Sequence, residues 1–306
     1  MSSISNNKLQ NLAAIASITT AALLCALKAG AAIASGSLAV LSSMIDSLSD
    51  IAASLITYIA VRFAQKPMSY THRYGYGRAE SISALFQAAF IIGSALFIIY
   101  DAADRFFHNK LIADTTIGIA VMFICLLCTV MLLLLQRYVI KKTQSLAIKA
   151  DSQHYLVDLL SNAAVIISLL VVQYWHWKWF DILTAIIIAL YLIFNAYALA
   201  KQALNELTDA ELAEPIKQHI LQTALAEKGV MGVHDLRTRC AGTQMFIEMH
   251  VEFDGKQTLY QTHDLSEKIE NRIMRDFPTA QVIIHQDPYG IKERRIDHEI
   301  KGSCQL

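Results

Sequence analysis

The stretch LAVLSSMIDSLSDIAASLITYIAV, residues 38–61, is apolar and long enough to cross a bilayer, yet it carries Asp46 and Asp50 four residues apart. A second apolar stretch carries His154 and Asp158 at the same spacing. Residues i and i+4 project from one face of a helix, so two such helices facing each other bring three carboxylates and an imidazole to one point. Each charge at the centre of a membrane helix costs roughly 2.5–3.5 kcal/mol on insertion scales. A divalent cation is the natural partner of such a cage. The alternative, a polar network joining two helices without an ion, leaves net negative charge uncompensated in lipid.

Composition agrees with a membrane chain. Hydrophobic residues make up 55% and charged residues 17%, against about 25% charged in soluble domains. Residues 1–203 hold 9 of the 26 acidic residues and residues 204–306 the other 17, so the chain divides near residue 204. Net charge is zero and no basic, aromatic-interleaved stretch occurs, which excludes a nucleic-acid surface. Hydropathy gives six spans, at about 10–34, 38–62, 80–104, 114–136, 151–174 and 181–203. The apolar run of the first exceeds the roughly 7–15 residues of a signal peptide, so it is read as a retained helix. Arg62, Lys66, Arg73 and Arg78 follow span two, and Arg137, Lys141, Lys142 and Lys149 follow span four, which makes those loops cytoplasmic. The opposite loops hold Arg105, Lys110 and Lys178, with Trp175, Trp177 and Trp179 as an aromatic belt. Both termini then lie in the cytoplasm, and compact loops suit a bacterial inner membrane.

The five cysteines, including Cys125-x-x-Cys128 in span four, are read as small apolar residues, with no disulfide. Residues 204–290 read as a cytoplasmic α+β domain and 291–306 as a flexible tail. Amphipathic helices are expected at 211–227 and 258–277, and strands at 233–240, 243–253 and 280–287, in the order α-β-β-α-β. In the second strand His250 alternates onto the more polar face, and His285 and Asp287 share one side of the third. His234 opens the first strand and His263 lies on the second helix.

Asp46-x3-Asp50, His154-x3-Asp158, the loop HRYGYGRAES from His72, HDLRTR from His234 and VIIHQDP from Val282 together resemble the cation diffusion facilitator family, in particular its bacterial ferrous-iron and zinc efflux type. The resemblance runs to about Pro288. It implies a homodimeric metal/proton antiporter, not an enzyme, with six transmembrane helices and a metallochaperone-like cytoplasmic domain. It also implies a binuclear cytoplasmic site in which Asp287 bridges two ions, one served by His234 and His250, the other by His263 and His285. The family type carries an Asp and two His in the loop after span two, where this chain has Ser69, His72 and Tyr76, so that only His72 remains and the loop site is weak or lost. Arg78 and Glu206 match a family charge interlock, which as an exposed pair contributes about 0–1 kcal/mol.

Carboxylate oxygens with one imidazole suit Zn²⁺ first and tolerate Cd²⁺, Fe²⁺, Mn²⁺ or Co²⁺, while the lack of thiolate disfavours Cu⁺. Clustered carboxylates repel one another and imidazole titrates near neutrality, so protons and metal compete for the site. Ser43, Ser47, Ser54 and Asn162 share helical faces with the ligands and are expected to orient them or hold water. Lys28, Glu80 and Asp101, at span ends, are expected to snorkel or pair. No H-E-x-x-H occurs, which removes the usual zinc protease reading. A membrane-bound metal sensor and a passive metal channel are the competing classes.

Overall fold

The computed structural model describes residues 2–35, 38–108, 116–175, 179–292 and 295–298. Trp177, Lys110, Lys178 and residues 299–306 lie outside them, as do the side chains of Ser43, Asp46, Trp175 and Trp179. The chain folds as two compact units, Met1–Leu204 and Asn205–Leu306.

The first unit consists of α1 (Ser2–Ser35), α2 (Leu38–Ala64), α3 (Ala79–His108), α4 (Thr116–Thr143), α5 (Leu146–Trp175) and most of α6 (Trp179–Leu207). Backbone polar groups in lipid find no water, so each spanning segment closes its own hydrogen bonds as a helix. Every helix overruns the apolar stretch that marks it; α1, for example, has 34 residues, or about 50 Å. Hydropathy sees only the lipid-length part, whereas helical bonding continues until a breaker intervenes. For α2 that breaker is Lys66-Pro67, just past its end. Five of the helices are apolar enough to span a membrane among the described residues. The sixth, α5, carries Lys149, Asp151, His154 and Asp158 in its first half.

Small residues let these helices approach closely where no hydrophobic force drives them together. Ala84, Ala88 and Ala95 of α3 and Ala189, Ala196 and Ala203 of α6 pack with Leu146, Ala150 and Val157 of α5. On another side, Ala147 and Ile148 of α5 meet Ala13 and Ala14 of α1, Val61 of α2 and Val139 of α4. The large apolar side chains Phe86, Phe90, Phe97, Leu190 and Phe194 remain on the outside of the unit, as lipid-facing residues do. The start of α5 is fixed by two side chains. Ser145 Oγ accepts from the Ile148 amide at 3.4 Å and donates to the buried Glu80 carboxylate at 2.6 Å. A negative group at a helix N-terminus satisfies orphan amides and the helix dipole. Glu80, expected to pair at a span end, thus secures the helix that carries His154.

The second unit contains α7 (Glu214–Leu225), β1 (Val230–Ala241), β2 (Gln244–Phe253), α8 (Leu259–Asp276), β3 (Ala280–Pro288) and a 3-10 turn at Ile296–His298. α7 begins at Glu214, later than expected, because Pro215 belongs in a first helical turn. The β1–β2 hairpin closes at Gly242, whose φ of +62° few other residues adopt. β1 and β2 pair antiparallel, while β3 joins β2 in parallel after the α8 crossover. A Thr258–Gln261 capping box starts α8. Ile247, Met249, Val251 and Phe253 point toward the helices and pack with Ile220 of α7 and Ile269 and Ile273 of α8. The alternating residues of β2, among them His250 and Glu252, occupy the face without helices.

Ile247 is fully buried at the centre of this core. Ile247→Ala is expected to destabilise the second unit by about 2–5 kcal/mol. The check is amide hydrogen exchange, in which protection of β1, β2 and β3 falls together while α3 keeps its own.

Candidate metal centres

In the first unit, α2 and α5 present Asp50, His154 and Asp158 with ligand atoms all within 4.8 Å of one another. His154 Nε2 lies 3.1 Å from Asp50 Oδ1, and the imidazole is only 5% exposed. Asp46 stands one turn before Asp50 in α2, its side chain outside the described residues. An imidazole and two carboxylates at this spacing supply three donors of the type that a tetrahedral Zn²⁺ site takes.

One helical turn before His154, a polar network that the sequence reading missed joins four helices. Asp151 of α5, fully buried, accepts from Ser17 Oγ of α1 at 2.5 Å and Gln136 Nε2 of α4 at 2.7 Å. Ser17 and Ser54 of α2 share a 3.0 Å bond, and Ser54 meets the Tyr155 hydroxyl at 2.8 Å. Tyr155 in turn donates to the Ser17 carbonyl at 3.1 Å. The signal in the sequence was Asp151 itself, a charge at the border of an apolar span. Ser54, one of the side chains expected to support the ligands, belongs to this network. Ser47 is buried and Asn162 half-buried, with no bond to the ligands among those described.

Register builds the second cluster. The pairings His234↔His250 and His250↔His285 place three imidazoles in one row across the sheet, and the next row pairs Gly232, Glu252 and Asp287. Ring centroids are 5.1 Å apart for His234–His250 and 4.6 Å for His250–His285. Asp287, buried, turns both oxygens to the row. Its Oδ2 lies 2.8 Å from His250 Nδ1 and 3.7 Å from His234 Nε2, and its Oδ1 lies 3.3 Å from His285 Nε2. Three imidazoles around one carboxylate is a donor set that fits Zn²⁺. His263 is exposed on α8, the helix that packs on the other face of β3 through Thr262 and Gln286.

His72 is engaged locally. Its Nδ1 meets Thr71 Oγ1 at 3.0 Å and its ring stacks on Tyr76 at 4.5 Å, while Ser69 Oγ meets the Tyr76 hydroxyl at 3.0 Å. Hydroxyls and a ring stack therefore close this loop. Arg78 belongs to the first unit and Glu206 to the second. Burial, with the charge of Glu206 adding to it, pushes the Cys240 thiol up to about 11. Cys25, Cys125, Cys128 and Cys240 are free thiols.

The helical unit thus carries one group of candidate metal ligands and the α+β unit another. The sequence profile of the cation efflux transmembrane domain matches residues 14–208, and that of the cation efflux protein cytoplasmic domain matches residues 212–289. The cation-efflux pump FieF of Shewanella oneidensis is 40% identical over 281 residues, 92% of this chain and 95% of that protein. Protein p34 of Rickettsia rickettsii is 38% identical over 294 residues, 96% and 97% of the two chains. Among solved structures, the metal-bound C-terminal domain of the CzcD transporter from Thermotoga maritima is 31% identical, with 26% of this chain and 93% of that one covered and a TM-score of 0.25. The chain belongs to the cation efflux family. It is a multi-pass protein of the bacterial inner membrane that exports metal cations and is not an enzyme.

Two outcomes follow from the geometry. Ser54→Ala, which removes the hydroxyl between Ser17 and Tyr155, is expected to destabilise the first unit by about 1–3 kcal/mol, read as a lowered unfolding temperature in detergent. Cys240 is expected to alkylate about 100-fold more slowly than an unperturbed thiol at pH 7.5, because its thiolate is scarce; mass spectrometry of the labelled chain measures this.

Proposed function

We propose that this protein is a proton-coupled Zn²⁺ exporter that works as a homodimer, with Fe²⁺ and Cd²⁺ as further substrates. The observation that carries this reading is the approach of Asp50, His154 and Asp158 between two membrane helices, with Asp46 one turn from Asp50. In the cytoplasm-facing state the substrate ion takes the oxygens of Asp46, Asp50 and Asp158 and Nε2 of His154. Protons held by the same atoms leave, since one lone pair serves either a proton or a metal. In the outward-facing state protons rebind and the ion is released. Each ligand set favours one conformation over the other only by its differential affinity, which is what couples the two fluxes.

The second unit is proposed to face the cytoplasm, as do both termini, by the excess of Arg and Lys in the loops after α2 and α4. There His234, His250, His285 and Asp287 hold resident Zn²⁺. His263, exposed on α8 beside Thr262, serves the second ion together with His285 and the bridging Asp287 in this reading. A bound ion supplies charge that neutralises Asp287 and holds the imidazole row together. The loop of Ser69, His72 and Tyr76 is assigned no ion.

Proteoliposomes under an imposed pH gradient test this reading through Zn²⁺ flux. Proton-driven flux that disappears in Asp50→Ala and His154→Ala is the expected result. Flux that persists without a gradient identifies a channel, and no flux with intact binding to the second unit identifies a sensor.

A further inference from the structure

The tail beyond residue 290 lies outside both family matches, and its described part returns to β1 beside the histidine row. Two contacts hold it there. The Asp235 amide donates to Asp297 Oδ2 at 2.8 Å, and the Asp297 amide donates to Asp235 Oδ1 at 3.0 Å. The Arg295 guanidinium pairs with Glu252.

Both contacts lead to His234. Asp235, the residue after it, has a φ of +50°, and the β1–β2 register shifts between His234 and Arg237. Such a bulge re-aims the side chains on either side of it, and Asp297 bonds to the very amide that the bulge turns out of the ladder. Glu252 lies across the strand. Its carboxylate folds over Gly232, where an added Cβ would meet Oε2 at 2.5 Å, and reaches to 3.7 Å from His234 Nδ1. The other ring nitrogen, Nε2, faces Asp287. A metal-bound imidazole typically gives its second N–H to a carboxylate, which fixes tautomer and ring orientation. Glu252, at 3.7 Å, is the carboxylate placed to take that part at His234 once the ring turns to it, and Arg295 holds Glu252 there.

We propose that the tail is a working part of the cytoplasmic metal centre: Arg295 acting through Glu252, and Asp297 acting through the Asp235 backbone, are positioning residues for His234 as a metal ligand. The inference rests on the reading that this row takes Zn²⁺. It assigns a task to residues that the family pattern does not reach.

The test uses full-length protein in detergent carrying Asp50→Ala, so that the remaining tight binding reports the second unit. Zn²⁺ affinity is measured by chelator competition, and Co²⁺ absorption bands report ligand geometry. Arg295→Ala, Asp297→Ala and Glu252→Gln are each expected to weaken Zn²⁺ binding about 10- to 100-fold and to shift the Co²⁺ bands. Arg295→Lys and Asp297→Asn, which keep the cation and the acceptor, are expected to recover most of the affinity. Unchanged affinity and bands in all three variants, with binding abolished in His250→Ala, would reduce the tail to a strap and overturn the proposal alone. Binding indifferent to His250→Ala would overturn the proposal together with the metal reading of the row.

Discussion

A carboxylate inside a bilayer is tolerated only when a proton, a cation or a dense set of donors neutralises it. This chain places Asp46, Asp50, Asp151 and Asp158 on α2 and α5, and the first unit is organised around that constraint. Asp50 and Asp158 both lie close to the His154 imidazole, their ligand atoms within 4.8 Å of one another. Asp151 receives donors from α1 and α4, and the serine–tyrosine bonds beside it bind α2 to α5 as well. The helices that carry the ligands are therefore tied to each other and to two neighbours through polar bonds, which are directional and short. Apolar packing in lipid, where no water is released, gives no such register. Glu80 adds a further tie by fixing where α5 begins.

The second unit meets a related problem with a different device. Instead of helix faces it uses strand register. Three histidines drawn from sequence positions far apart stand in one row because β1 and β3 both pair with β2 at the same residue. Asp287, one row away, faces the whole group.

How much of this could be read from the chain depended on whether the relevant geometry is local. Asp46, Asp50, His154 and Asp158 announce themselves through a spacing of four within apolar segments, and helical geometry converts that spacing directly into a shared face. The alternation along β2 likewise placed His250 on the polar side. Asp151 was not assigned a role, because its partners Ser17, Ser54, Gln136 and Tyr155 are scattered over four helices and none stands out in an apolar context. Glu252 and Gly232 were equally silent, since their relation exists only across paired strands. The tail was expected to be flexible, and composition gave no reason to think otherwise; its hold on β1 depends on a bulge at Asp235 that no propensity announces.

The loop between α2 and α3 carries one more implication. Its order comes from the Ser69–Tyr76 and Thr71–His72 bonds and from a stack of two rings, all supplied by the polypeptide. The shape of this segment therefore rests on the chain's own side chains and does not depend on a bound ion. A cell starved of trace elements would keep a protein whose loop is already shaped, waiting only for cargo.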